Sequence, residues 1–267
     1  MKNPQSFPSR RHFLSMSAVV FAALVTGSTL VYSQDQAAAK SGPTPFPDSH
    51  NEAAWKGTGP IRVFPWMTDN RNYFWTQRDQ KQGAVVFVGD SLLGNWSLAK
   101  VKTEKAFPKL KNVANRAIGG DVSRGVLFRL QEDVLDLHPE AVVLMIGTND
   151  LSAKAPVEGV ISNINEILDE AQKEYPDMPI ILCKIPPRNS TAAVIDPAEV
   201  TKLNDQIAQV AQARKNVTLF DAFTVMATPD GQPDPVNFKK DLLHPSDVGY
   251  EKMGSGLSDI FAQLKLQ

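Results

Sequence analysis

Beyond residue 83 the chain alternates between short apolar runs and longer amphipathic stretches. Residues 84–88, 141–146, 180–183 and 217–220 are apolar or nearly so, and 111–115 is a weaker fifth run. Runs that do not alternate with polar residues fit strands covered on both faces, as in a parallel sheet. Between them the period becomes helical. Val126, Leu127, Leu130 and Val134 form one stripe, and Val160, Ile161, Ile164, Ile167, Leu168 and Ala171 a second. Val200, Leu203, Ile207 and Val210 form a third, and Met253, Leu257, Ile260, Phe261 and Leu264 a fourth. Alternating strand and helix predict a three-layer α/β/α sandwich. Residues 61–82 carry Phe64, Trp66, Tyr73, Phe74 and Trp75 among polar positions. They are expected to cover one edge of the domain, partly as helix.

The start of the chain follows a different pattern. Ser9-Arg10-Arg11-His12-Phe13-Leu14 precedes an apolar stretch over 16–25, then small residues at 27–29 and 37–39. Basic, apolar and small-residue regions in that order predict a cleaved export signal, with a twin-arginine character. Cleavage after Ser33 and cleavage after Ala39 both fit. The apolar stretch is too short and broken for the ~20 residues of a membrane span. Residues 40–60 are rich in Pro, Gly, Ser and Thr and are expected to be a linker, leaving 61–267 as the folded domain. The expected location is therefore periplasmic or extracellular.

Charge and cysteine content narrow the function. Formal net charge is −1; residues 1–39 hold three basic residues against one acidic, so the remainder carries −3. A mildly acidic body argues against nucleic acid or an anionic membrane as partner. Cys183 is the one cysteine. It allows no internal disulfide, and no Cys/His cluster offers a structural zinc site.

In doubly wound sheets ligands bind beyond the carboxyl ends of the strands. Four polar sets fall there: Gly89-Asp90-Ser91-Leu92, Asn115 to Asp121, Gly147-Thr148-Asn149-Asp150, and Asp241-Leu242-Leu243-His244-Pro245. A serine hydroxyl needs a base to take its proton, an acid to orient that base, and donors for the oxyanion. Ser91 stands where a strand turns into a helix, with its own N–H at the helix start. Among four histidines, His12 lies in the leader, His50 in the linker, and His138 before strand three at the far end of the sheet. His244 remains as the base, Asp241 can reach its ring, and Gly120 and Asn149 can add an N–H and an amide. Asp90 and Asp150 are read as loop-holding carboxylates. Trp96, Pro187 and Arg188 are candidates for shaping the pocket, with Arg188 equally readable as a solvated charge.

These blocks resemble those of the SGNH, or GDSL, hydrolases over roughly 83–264. Phe87-Val88-Gly89-Asp90-Ser91 and Ile118-Gly119-Gly120-Asp121 resemble most the catalytic-subunit branch of intracellular platelet-activating-factor acetylhydrolases. The resemblance implies a flavodoxin-like five-stranded parallel sheet. It implies Ser91 as nucleophile, His244 as base and Asp241 as its orienting acid, with Ser91, Gly120 and Asn149 as the oxyanion hole. It implies no metal and no organic cofactor. Ala117 stands where many relatives have glycine.

The expected activity is an exported serine esterase acting on short-chain, chiefly acetyl, esters of small molecules or glycans. A lipid-directed esterase or lysophospholipase, or an acyltransferase, is the alternative on the same fold; an inactive glycan-binding fold is the non-enzymatic one. Gly-x-Ser-x-Gly, the elbow of α/β-hydrolases, is not met, because Gly94 falls one residue late. Nor does the chain carry a Walker sequence or a Gly-x-Gly-x-x-Gly turn.

Overall fold

The computed structural model describes residues 40–192 and 194–267. The leader expected at 1–39 lies outside them. Five strands run in parallel in the order β2-β1-β3-β4-β5: β1 Val85–Gly89, β2 Val113–Asn115, β3 Ala141–Met145, β4 Ile180–Cys183 and β5 Val217–Phe220. All residues of β1, β3 and β4 are buried, which explains their unbroken apolar character. β2 is an edge strand three residues long, hence its weak sequence signal.

The helices, in chain order, are α1 Pro65–Gln77, α2 Ser91–Gly94, α3 Thr103–Ala106, α4 Ser123–Asp133, α5 Thr148–Ser152, α6 Val157–Glu174, α7 Pro197–Gln212, α8 Ala222–Met226 and α9 Asp247–Gln263. Several begin where side chains satisfy free N–H groups. Asp90 accepts from Leu92 N–H, Asp196 from Ala198 N–H with Pro197 following, and Ser246 from Gly249 N–H. The β1-to-β2 connection runs opposite in direction to β2-to-β3, β3-to-β4 and β4-to-β5. Right-handed crossovers therefore put α4, α6 and α7 on one face and the α2–α3 connection on the other. α9 joins that second face, where Phe87 meets Trp96 and Phe261 edge-on at 6.0 and 6.3 Å.

Residues 40–60 differ from the linker expectation. They have little regular structure, yet they are fastened to the body. Thr44 N–H donates to Glu132 (2.8 Å), and Asn163 bonds both the N–H and the carbonyl of Thr58 (2.9 and 2.8 Å). The buried guanidinium of Arg124 donates to the carbonyls of Glu52, Trp55, Lys56 and Gly59. Trp55 is buried against Phe46 and Phe128. A Pro- and Gly-rich composition reports missing backbone ladders. Here side chains on α4 and α6 supply the partners instead.

A second buried guanidinium holds the rim of the sheet. Arg129, wholly inaccessible, donates to Asp121 (2.8 Å), to the Arg116 carbonyl beyond β2 (2.6 Å) and to the Gly89 carbonyl at the end of β1 (3.2 Å). Asp133 flanks it at 3.4 Å and also pairs with Arg71. Removing one member of such a cluster strands the others without partners. Arg129→Leu should therefore lower unfolding free energy by about 3–5 kcal/mol in urea titration. Arg129→Lys, which keeps the charge but lacks the fork, should recover only part of that loss. A Leu variant with the wild-type midpoint would contradict the assignment.

Candidate active site

The four rim loops converge as the sequence reading expects. Ser91 is the first residue of α2, directly after β1. Its chain reversal depends on Gly89, because a Cβ there would fall 1.9 Å from the Met145 carbonyl of the neighbouring strand. Asp90 caps α2 and turns Ser91 toward the crevice. His244 Nε2 lies 3.0 Å from Ser91 Oγ, and its Nδ1 lies 2.7 Å from Asp241 Oδ2. Those are hydrogen-bond distances. The other oxygen of Asp241 accepts the N–H groups of Leu243 and His244, both at 3.0 Å, in a tight turn with Leu242 left-handed (φ 48°). Burial alone would raise the Asp241 pKa. The hydrogen bonds from the His244 ring and from the two backbone N–H groups outweigh it and hold the carboxylate below its usual range. The loop is pinned on both sides, since Lys239 N–H bonds the His244 carbonyl (2.8 Å) and Asn189 N–H the Leu242 carbonyl (3.0 Å).

The donor side is equally built. Asn149, in the first turn of α5, gives one amide hydrogen to the Asp121 carbonyl (2.9 Å), which leaves the other to face the crevice. Gly120 has φ +88°, and a Cβ there would press on Phe64 at 3.2 Å, so glycine is required. The Trp66 indole donates to the Gly119 carbonyl at 2.8 Å. In a trans peptide the carbonyl and the next N–H point in opposite directions, so this bond aims Gly120 N–H away from Trp66. Among the described residues, no acceptor bonds Ser91 N–H or Gly120 N–H. Donors of this kind are what a developing oxyanion needs.

Other candidates resolve differently. Asp150 accepts both Ser123 N–H and Ser123 Oγ–H (2.6 Å from the hydroxyl), tying α5 to α4. Arg188 donates to Thr148 Oγ1 (2.8 Å) and Ser152 Oγ (3.2 Å) and faces the charges of Asp90 and Asp241. It is thus not a solvated surface charge. Trp96 does not line the crevice. It is buried, stacked on Tyr250 at 5.0 Å and edge-on to Phe87. Its position one turn after Ser91 carried no information about which way the ring points. Sequence reasoning missed Arg129, Ser123 and the role of Trp66. The aromatic density of 61–82 was the only available signal for Trp66. Among the described residues, no group of three or more His, Cys, Asp and Glu side chains could hold a metal ion.

A hydroxyl in hydrogen-bond contact with a carboxylate-backed imidazole, at the carboxyl end of a doubly wound sheet, is the arrangement of a serine hydrolase. Residues 87–252 match the model of the GDSL-like lipase/acylhydrolase family. The chain is 28% identical to the platelet-activating factor acetylhydrolase IB subunit alpha2 of Bos taurus and of Homo sapiens over 204 residues, covering 74% of this chain and 84% of the relative. It superposes on a GDSL-like lipase from Bacteroides thetaiotaomicron with TM-score 0.63 and 23% identity, over 72% of this chain and 97% of the other. With the lipase/acylhydrolase from Enterococcus faecalis the TM-score is 0.55 and the identity 25%, over 67% and 96%. The chain belongs to the GDSL-like lipase/acylhydrolase family and is a hydrolase acting on esters.

Asp90 makes the site pH-sensitive in stability. Burial pushes its carboxyl from 3.8 up to about 7, against the Leu92 N–H bond and with further upward pressure from Asp121 and Asp150. Among the described residues its Oδ2 has no hydrogen-bond partner. Because the folded pKa lies above the unfolded one, the folded state holds the extra proton. That stabilisation is complete below pH 4 and is lost as pH rises through 7. Asp90→Asn keeps the capping oxygen and removes the titration. Relative to wild type it should gain stability on the order of a few kcal/mol between pH 4 and 8. Equal melting-temperature differences at pH 5 and pH 8 would refute this.

Proposed function

We propose that the protein hydrolyses short-chain acyl esters, chiefly acetyl esters, through an acyl-enzyme on Ser91. The 3.0 Å contact between Ser91 Oγ and His244 Nε2 carries this reading. His244 takes the hydroxyl proton as Oγ attacks the ester carbonyl, and Asp241 balances the charge gained by the ring. The carbonyl oxygen becomes an oxyanion facing Ser91 N–H, Gly120 N–H and the Asn149 amide. Collapse of this intermediate breaks the bond to the alcohol, which leaves with the proton from His244. Water then attacks the acyl-serine by the same route. It releases the carboxylic acid and restores Ser91.

An acetyl group is supported by relatives that bear the name acetylhydrolase. The basic, apolar and small-residue order of 1–39 supports export and an extracytoplasmic small-molecule or glycan ester as substrate. The same relatives' name, which contains platelet-activating factor, favours a lipid alcohol as the second reading. Ser91→Ala should abolish both hydrolysis of p-nitrophenyl acetate and labelling by a fluorophosphonate. Asn149→Ala should keep KM within a few-fold and lose about 10²–10³ in kcat. Rates across p-nitrophenyl esters from C2 to C12 should fall steadily with chain length. Retained turnover in Ser91→Ala would end the proposal.

A further inference from the structure

Beside the oxyanion loop runs an open groove of about 600 Å³, within the usual range for ligand sites. Its inner end is formed by Gly94 and Gly119, and a Cβ on Gly119 would sit 3.8 Å from that of Ser91. One wall is a single face of α1: Trp66, Asn70 and Tyr73 stand at i, i+4 and i+7. The opposite wall carries Asn95, Ser97 and Lys102. Two aromatic rings thus border a trough of mixed polar and apolar lining, and both remain open to solvent: Trp66 is 48% exposed and Tyr73 62%.

Trp66 is not a loose surface ring. Its Nε1–H is bonded to the Gly119 carbonyl, and one of its faces stacks on Phe64 at 4.5 Å and 13°. A ring already held in place loses little freedom when a ligand covers it. α1 also precedes Phe87, the first residue matched by the family model, so this wall is supplied outside the shared hydrolase segment.

We propose that this groove receives the alcohol side of the ester, and that the alcohol is a pyranose of an acetylated sugar chain. This rests on the ester hydrolysis proposed above. A pyranose presents C–H groups on its faces, which suit aromatic rings, and hydroxyls on its rim, which suit amides, hydroxyls and charged groups. A lipid tail matches poorly. It would cover Asn95, Ser97 and Lys102 without giving them hydrogen bonds, and each buried polar group left so is penalised. Phe74, Ala117 and exposed Leu98 add apolar contacts, so the lining is mixed, as the two faces and rim of a pyranose require.

The test has a binding arm and a kinetic arm. In the first, Ser91→Ala is titrated with acetylated xylo-oligosaccharide by calorimetry, alone and with Tyr73→Ala added. Binding should be measurable, and Tyr73→Ala should weaken it about tenfold. In the second, kcat/KM on acetylated xylo-oligosaccharide is divided by kcat/KM on p-nitrophenyl acetate, whose alcohol is too short to span the groove. Tyr73→Ala should lower that ratio about tenfold. An unchanged ratio, or a larger loss on an acetylated phospholipid than on the sugar, overturns the assignment while leaving Ser91 hydrolysis intact. Sugar binding by Ser91→Ala without turnover of any ester by the wild type would instead retain the groove and sink the esterase reading.

Discussion

The guanidinium of Arg129 is the tie on which the rim depends. It has no contact with solvent, and its nitrogens reach the carbonyl at the end of β1, the carbonyl just past β2 and the carboxylate of Asp121. The Arg116 carbonyl lies past the end of β2, and the Gly89 carbonyl, at the end of β1, also accepts Ile118 N–H at 2.9 Å. Such groups cannot be left unpaired in a dry interior. Arg129 is the partner of the first and a second donor to the other, through one planar fork that lysine cannot reproduce. Burying a charge is costly, and a well-packed apolar residue often does as well for stability alone. What the charge adds here is register: the loop after β1 and the loop after β2 are set against each other through a single side chain.

That register is passed on to the chemistry. Asp121 accepts from Arg129 with its side chain, while its carbonyl accepts from Asn149. Ser123, two residues on, is held by Asp150. The amide, the Gly119–Gly120 peptide and Ser91 are therefore aligned by bonds that run under the crevice rather than across it. The surface above stays free for a substrate. From the solvent side the Trp66 indole fixes the remaining peptide by its carbonyl. Preorganised dipoles of this kind need no rearrangement when charge develops, which is why they contribute strongly to rate.

The same burial creates an electrostatic load. Asp90, Asp121 and Asp150 lie together near Ser91, and burial raises the pKa of each. Arg129 answers Asp121, and Arg188 faces Asp90. Asp90, whose second oxygen has no hydrogen-bond partner among the described residues, is raised to about 7. Asp241 is different. Less buried and held by two backbone N–H groups as well as the imidazole, its carboxylate is kept below the usual range. Four carboxyls of one residue type are thus shifted in opposite directions, three up and one down, by desolvation, neighbouring charges and hydrogen bonds.

Local sequence was enough for the sheet and the long helices. A strand buried on both faces must be apolar at every position, and a helix on a sheet must be apolar every three or four, so β1, β3, β4, α6 and α9 were legible from period alone. The rim residues were legible too, because the carboxyl ends of parallel strands are where a crevice forms, and His244 is the histidine that the chain order puts there. Short elements such as α2, α5 and α8 span too few residues to display a period. Composition misled at 40–60, where irregular backbone is satisfied by Glu132, Arg124 and Asn163, 65 or more residues further along the chain. It also gave no direction for the Trp96 ring or the Arg188 fork. Periodicity is a local property, and the chain carries it openly. Which distant carbonyl a buried arginine closes, and which face of an indole remains uncovered, depend on distances that exist only once the layers have packed.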